Sequence, residues 1–232
     1  MLNFMMDFVT LRVYEGKMQL LLLRRNMEDR PHYGEYALVG GMIYSQDKEG
    51  GCKKDETYQS ARDRIIRTKL GVSPTLVKEV FNDGGAKRDS DGWSVVSVSY
   101  AFINPDLSEA IIRNPDYKWV DLDDVLSGKL KLPFDHNQAV ERVVDHIRNQ
   151  FGYTSGALYL LPHKFTVAQI TQVYKLIGID VSRQTIRKRL IDGGHIKEMI
   201  GDFEKKVGKP APYYLISESE MSFFDRVIGK PL

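Results

Sequence analysis

A chain of 232 residues, 42% hydrophobic and 28% charged, has room for two packed domains and the composition of an ordinary globular protein. Its 33 Lys and Arg nearly balance 31 Asp and Glu, so it is neither a polyanion nor a strongly basic chain, and it holds no run of about eighteen apolar residues that could form a membrane helix. A single cysteine, Cys52, excludes an internal disulfide and fits a reducing, cytoplasmic compartment.

The first stretch, MLNFMMDFVTL, lacks a basic leader and reads as a strand rather than a signal peptide. Phe4–Tyr14 and Lys17–Arg25 are apolar-rich runs parted by Glu15-Gly16, which predicts a hairpin. Within the second run, Leu20–Leu23 is continuous aliphatic sequence, as expected of a strand buried on both faces. Arg24-Arg25 closes it, and Asn26–Glu35 reads as a polar loop. Tyr36–Val39 predicts a third strand, ended by a Gly40-Gly41 turn. A charged, glycine-bearing loop over Asp47–Lys54 then leads to a helix over Glu56–Leu70, stopped by Gly71. Thr75–Phe81 and Trp93–Ile103 alternate as strands joined by the loop Asn82–Gly92. Tyr117–Val120 is a short strand, and Asp121 caps a helical turn to Leu126. Asp135 caps a helix over His136–Gln150, with Val140, Val143, Val144 and Ile147 on one face.

Charge divides the chain. Residues 151–232 hold 12 Lys or Arg against 8 Asp or Glu, while residues 1–150 hold 21 against 23, so a polyanion would meet the second part. Gly152–Gly156 has linker composition, which suggests a division into 1–151 and 152–232. Thr166 and Gln169 form a capping box. The helix they open places Ile170, Val173, Tyr174 and Ile177 on one face and stops at Gly178. After the short turn Ile179–Val181, Ser182 caps a second helix that runs to Gly193. Ile186 and Leu190 would pack inward, leaving Arg183, Gln184, Arg187 and Lys188 on the open face. His195–Ile200 and Tyr213–Ile216 predict a hairpin around Gly201–Pro212.

Two helices joined by a short turn, the second basic, describe a helix-turn-helix, whose second helix enters the major groove N-terminal end first. There Arg reads guanine and Gln adenine, while Lys and Arg on phosphate supply affinity. The candidate DNA contacts are Ser182, Arg183, Gln184, Thr185, Arg187 and Lys188, with Lys205, Lys206 and Lys209 on the hairpin as a wing. The basic helix carries no aromatic stacking platform, which disfavours RNA and single strands.

Gly40–Val72 resembles the Nudix box, G-x5-E-x7-R-E-U-x-E-E-x-G-U with U aliphatic. Gly71-Val72 fall on its closing pair, Ile66 on the aliphatic position, Arg64 on the arginine and Glu56 on the first glutamate. Tyr36–Gly41 is similar to the W-x-L-P-G-G approach of that family. Taking Gly41 as the first box glycine, 14 residues separate it from Glu56 where the pattern has five, a nine-residue insertion expected to be a surface loop. The three metal-holding glutamates of the pattern fall on Ile65, Thr68 and Lys69. Arg62, Arg64, Arg67 and Lys69 make the helix positive where the enzymes are negative, so the resemblance implies no metal and no catalysis.

Lys87–Val95 and Leu132–His136 resemble the R-D-x-x-G-W-S-V and F-D-H segments of the Nudix-related transcriptional regulators (NrtR), and Gly208–Ala211 resembles the G-R-P-A of their wing with Lys for Arg. That resemblance implies an α+β chain: a Nudix-like α/β/α sandwich followed by a winged helix-turn-helix domain. It further implies a homodimeric repressor on a double-stranded DNA operator, without cofactor, sensing ADP-ribose or a related NAD-linked nucleotide and controlling NAD metabolism genes. Its ligand candidates are Arg24, Arg25, Gly40, Gly41, Arg88, Asp89, Trp93, Phe134 and His136; a helix cap is the plainer account of Phe134–His136. Three alternatives stay open: an ADP-ribose pyrophosphohydrolase drawing acids from Asp83, Asp89 or Asp91, a sugar-responsive regulator of the same fold, and a nucleotide-binding scaffold that leaves DNA alone.

Overall fold

The computed structural model describes residues 3–28, 30–44, 56–89, 92–107, 115–205 and 210–228. The chain divides into two compact units. One comprises Met1–Leu11, Gln19–Ile103 and Leu107–Val143, and the other Arg12–Met18, Asn104–Asp106 and Val144–Leu232.

The first unit is built on a mixed six-stranded sheet. Its strands are β1 (Asn3–Tyr14), β2 (Lys17–Arg24), β3 (Tyr36–Met42), β4 (Leu76–Asp89), β5 (Gly92–Phe102) and β6 (Tyr117–Asp121), in the order β4-β5-β1-β3-β2-β6. β1 runs parallel to β5 and antiparallel to β3, with Asp7 level with both Val98 and Gly40. Glu15 and Gly16 both take positive φ, 47° and 77°, the left-handed pair that suits a two-residue hairpin turn. Leu20, Leu21 and Leu22 are buried, as their unbroken aliphatic run requires of a strand lying between two others.

Helix α1 (Tyr58–Ile65) continues as a wider π-helical turn over Ile66–Leu70 and ends at Gly71, φ 69°. It starts two residues later than expected, capped by Thr57, which accepts from Ser60 N at 3.1 Å. Ala61 and Ile65 pack on Met6, Phe8 and Ala101, and Leu70 packs with Leu21, Val39 and Ile103. Strand alternation turns Asp7 to the face opposite Met6 and Phe8, where it meets His136 at the start of α3 (His136–Phe151). The sheet therefore carries a helix on each face. Between β6 and α3, the short α2 (Leu122–Leu126) has Asp121 at its N-cap position, without the expected side-chain cap bond.

Three expected loops are something else. Gly40 and Gly41 lie inside β3 and make no turn. A Cβ on Gly40 would stand 2.2 Å from Asp7 Oδ1 and 2.5 Å from Met6 O, and one on Gly41 would press on Ile65 Cγ1 at 3.2 Å. The pair is glycine because both sheet faces close in there. Most of Asn82–Gly92 belongs to a long β4–β5 hairpin whose register shifts twice; its glycines sit in strands, so composition alone made it a loop. Gly152–Gly156 is core rather than linker. Thr154 and Ser155 are buried, a 3-10 turn runs over Ser155–Leu160, and Ser155 N donates to Ser222 O at 2.9 Å. Phe224 N to Tyr153 O and Ile228 N to Gly152 O pin the same segment. The inserted loop Asp47–Lys54, with Cys52, lies outside the described residues.

In the second unit, α4 (Val167–Leu176) starts at the expected capping box, Thr166 N donating to Gln169 Oε1 at 2.8 Å and Gln169 N to Thr166 Oγ1. α5 (Arg183–Ile186) is capped by Ser182, which accepts from Thr185 N at 3.1 Å, and runs on as a π-helical turn over Arg187–Ile191. Ile170, Val173, Tyr174, Ile177, Ile186 and Leu190 are buried, so the helix pair closes on the faces that their spacing marks. β7 (Ile196–Phe203) and β8 (Pro212–Ile216) pair antiparallel behind it. β7 runs past the expected Ile200, taking Gly201 at φ 81° through a register shift.

Candidate functional site

Contacts converge on Gly40–Gly41 from β1 and from the helix that runs from Tyr58 to Leu70. Beneath β3, His136 is 5% exposed. Leu38 N donates to its Nδ1 at 3.2 Å; a backbone N–H only donates, so in the neutral ring the proton sits on Nε2. That nitrogen lies 3.6 Å from Asp7 Oδ2. Phe134 tilts against His136 at 5.3 Å between ring centroids and makes a T-shaped contact with His32 at 4.6 Å. Both Phe134 and His32 hold left-handed backbone, φ 57° and 60°, a conformation that costs an ordinary side chain about 1 kcal/mol or more. Such strain persists where the surroundings fix it, and it gathers at binding sites. Arg25 completes the wall: its Nε donates to Pro31 O at 2.9 Å, and its guanidinium lies 4.9 Å from the centre of the Phe134 ring.

Above β3 stands Lys69, whose ammonium donates to the carbonyl of Gly40. Burial, the largest influence, holds this ammonium below the usual lysine pKa range; Asp7 acts against that, and Arg64 and Arg25 with it. Three cations, Lys69, Arg64 and Arg25, thus share this part of the unit with the carboxylates of Asp7 and of Glu56, the partner of Arg64. Tyr117, on β6, donates its hydroxyl to Lys69 O and so fixes the turn that carries the lysine.

Arg64 is not on an open basic face. Its Nε donates to Glu56 Oε1 at 2.5 Å and its Nη2 to Glu56 Oε2 at 2.8 Å and Met42 O at 2.7 Å. The pair is largely sealed, the side chains 13% and 6% exposed. The Glu56 hydrogen bonds raise the Arg64 pKa, so this guanidinium stays charged and occupied. Arg67 is exposed, whereas Arg62 is half-buried beside Asp63.

The second unit offers a different surface. Ser182, Arg183, Gln184, Arg187 and Lys188 are exposed along α5 and its continuation, while Thr185 is half-buried. Lys205 is exposed two residues past the end of β7, and Lys206 and Lys209 lie outside the described residues. Ile200, on the same strand, is 99% exposed.

The family model for the NUDIX domain matches residues 4–143. This chain belongs to the NUDIX domain family. A relative from Acinetobacter baylyi, described as an ADPR responsive transcriptional repressor NtrR, is 29% identical over 229 residues, spanning 97% of this chain and 86% of that one. The crystal structure of Shewanella oneidensis NrtR complexed with a 27mer DNA has a TM-score of 0.82 at 24% identity, over 97% of this chain and 98% of that one. A MutT/nudix family protein from Enterococcus faecalis scores 0.67 at 18% identity, over 94% of this chain and 89% of that one. Both structural likenesses show that the fold extends through the second unit as well as the NUDIX domain.

Within that NUDIX unit the structure gathers Arg25, Gly40, Gly41, Phe134 and His136 from the expected ligand set. Arg24 is exposed at the end of β2. Trp93 is 51% exposed on the β4–β5 hairpin, against Gly84; neither is seen touching the cluster among the described residues. Arg88 and Asp89 lie in β4 rather than in a loop, their side chains outside the described set. Asp7 and His32 were not singled out by pattern. Asp7 is a carboxylate in an otherwise apolar strand, a signal that was available. His32 owes its place to a loop conformation that no short pattern encodes. Asp83, offered as a substitute metal acid, is bound to Arg142 at 2.6 Å, while that guanidinium also stacks on Phe81 at 3.6 Å.

Proposed function

We propose that this chain is a DNA-binding transcriptional repressor. Residues 1–151 form a non-catalytic NUDIX sensor for ADP-ribose or a related NAD-linked nucleotide, and residues 152–232 form a winged helix-turn-helix that holds a palindromic operator as a homodimer in the cytoplasm. NAD metabolism genes are the expected targets. The observation that carries the reading is the exposed row Arg183, Gln184, Arg187 and Lys188 on a helix seated by Ile186 and Leu190. It stands in a chain similar over nearly its whole length to a relative described as an ADPR responsive repressor.

The residues at the metal positions argue against catalysis. A divalent cation of the magnesium type needs hard oxygen donors. Ile65 is fully buried alkyl, Thr68 donates its hydroxyl to Arg64 O at 2.7 Å, and Lys69 is itself a cation on Gly40 O. These groups do not fit such an ion. The carboxylate of Asp83, committed to Arg142, does not replace them.

A gel shift on DNA upstream of the protein's own gene, at a stated 100 mM salt or thereabouts, tests the reading. Retardation by the full chain, release or tightening on adding ADP-ribose, and loss in Arg183→Ala plus Arg187→Ala are expected. Release of AMP from ADP-ribose with Mg²⁺ at ordinary enzymatic rates would instead establish the hydrolase.

A further inference from the structure

The cation missing from the donor set has a counterpart in the chain. We propose that the Lys69 ammonium, held on the Gly40 carbonyl, supplies the positive charge for a ligand diphosphate, so that this NUDIX unit binds its nucleotide without any divalent ion. The inference rests on the sensor reading above and adds to it how the diphosphate is held.

Three features of the site carry it. First, a half-buried ammonium is costly unless something anionic or polar receives it, and here its donation is to one backbone carbonyl, with Asp7 a counter-charge that favours its protonated form. Arg25 and Arg64 push it toward losing its proton, so an arriving phosphate would relieve a repulsion already present. Second, Arg64 is occupied by Glu56 in a two-bond clamp, whereas Lys69, among the described residues, donates to a single main-chain carbonyl with Arg25 close enough to act on its charge. Third, Gly41 puts no side chain of its own between strand and ammonium: a Cβ there would sit 3.7 Å from Lys69 Nζ and 3.2 Å from Ile65 Cγ1. The ammonium therefore faces main chain rather than a neighbouring side chain on this strand. A Lys charge fixed this way needs no dehydrated ion and no acids to hold it.

Binding of ADP-ribose and of inorganic pyrophosphate to the full chain, followed by calorimetry in EDTA and again in Mg²⁺, tests this. ADP-ribose should bind the unaltered chain equally in both, within about twofold, and Lys69→Met should weaken it about tenfold to a hundredfold, the range for a lost charge-assisted bond. A thermal melt of Lys69→Met checks that the variant is folded; the EDTA comparison needs no variant at all. Binding that EDTA abolishes, or affinity unchanged in folded Lys69→Met, overturns the inference and leaves the sensor reading intact. Pyrophosphate bound in EDTA in a Lys69-dependent way, with ADP-ribose rejected, supports the inference and removes ADP-ribose as the ligand. Neither probe binding overturns both.

Discussion

At the scale of single residues, the sealed pair Arg64–Glu56 is where a small change should cost most. Both side chains are nearly out of water, and the guanidinium spends two donors on one carboxylate and a third on Met42 O. Neutralising one member strands the other as a buried charge. Glu56→Gln should lower unfolding free energy by about 2–3 kcal/mol, measured as a shift in the urea midpoint; a shift of a few tenths would mean that Arg64 reaches water instead. Both residues fall on box positions eight apart in the sequence. The role of Lys69 was not legible there. Read by position it marks a lost acid, and only its placement on Gly40 O shows a gained cation. His32 is a similar case, since its contact with Phe134 depends on two left-handed residues whose side chains give no hint of that backbone.

Among the elements, short-range chemistry was readable and long-range approach was not. The Thr166–Gln169 box, the Ser182 cap, the Gly71 stop and the buried faces of α4 and α5 follow from residues a few positions apart, and the structure holds each of them. Gly40-Gly41 resembles a turn until β1 is laid beside it, 33 residues back in the chain at Asp7. The same blindness turned Gly152–Gly156 into a linker, because what buries it arrives from Ser222–Ile228. The glycine reading can be checked directly. Gly40→Ala places a methyl inside the radius of Asp7 Oδ1 and of Met6 O, and the main-chain oxygen cannot withdraw without moving β1. Destabilisation of about 3 kcal/mol or more is expected, with loss of nucleotide binding if the strand shifts. Gly71→Ala is strained through φ alone, with open space around its Cβ; it should cost about 1 kcal/mol.

For the molecule as a whole, α/β architecture and the succession of elements were legible from periodicity and punctuation, and the compact division was not, since it falls between Val143 and Val144 inside one continuous helix. No helix among the described residues is long and apolar enough to cross a membrane. If the reading head holds its operator as a pair of chains, sedimentation should give twice the mass of one chain, and the complex should carry a steep salt dependence. Arg187→Ala should then reduce the slope of log K against log salt by about 1 per half-site if the residue meets a phosphate. An unchanged slope with altered base preference would assign it to a base edge instead.

The ammonium resting on the Gly40 carbonyl is part of the polypeptide. It cannot be chelated away, diluted or displaced by a competing ion. A pocket charged by a borrowed ion answers to two concentrations at once, the ion's and the nucleotide's. One charged by its own backbone-anchored side chain answers to a single quantity, which is what a gauge requires.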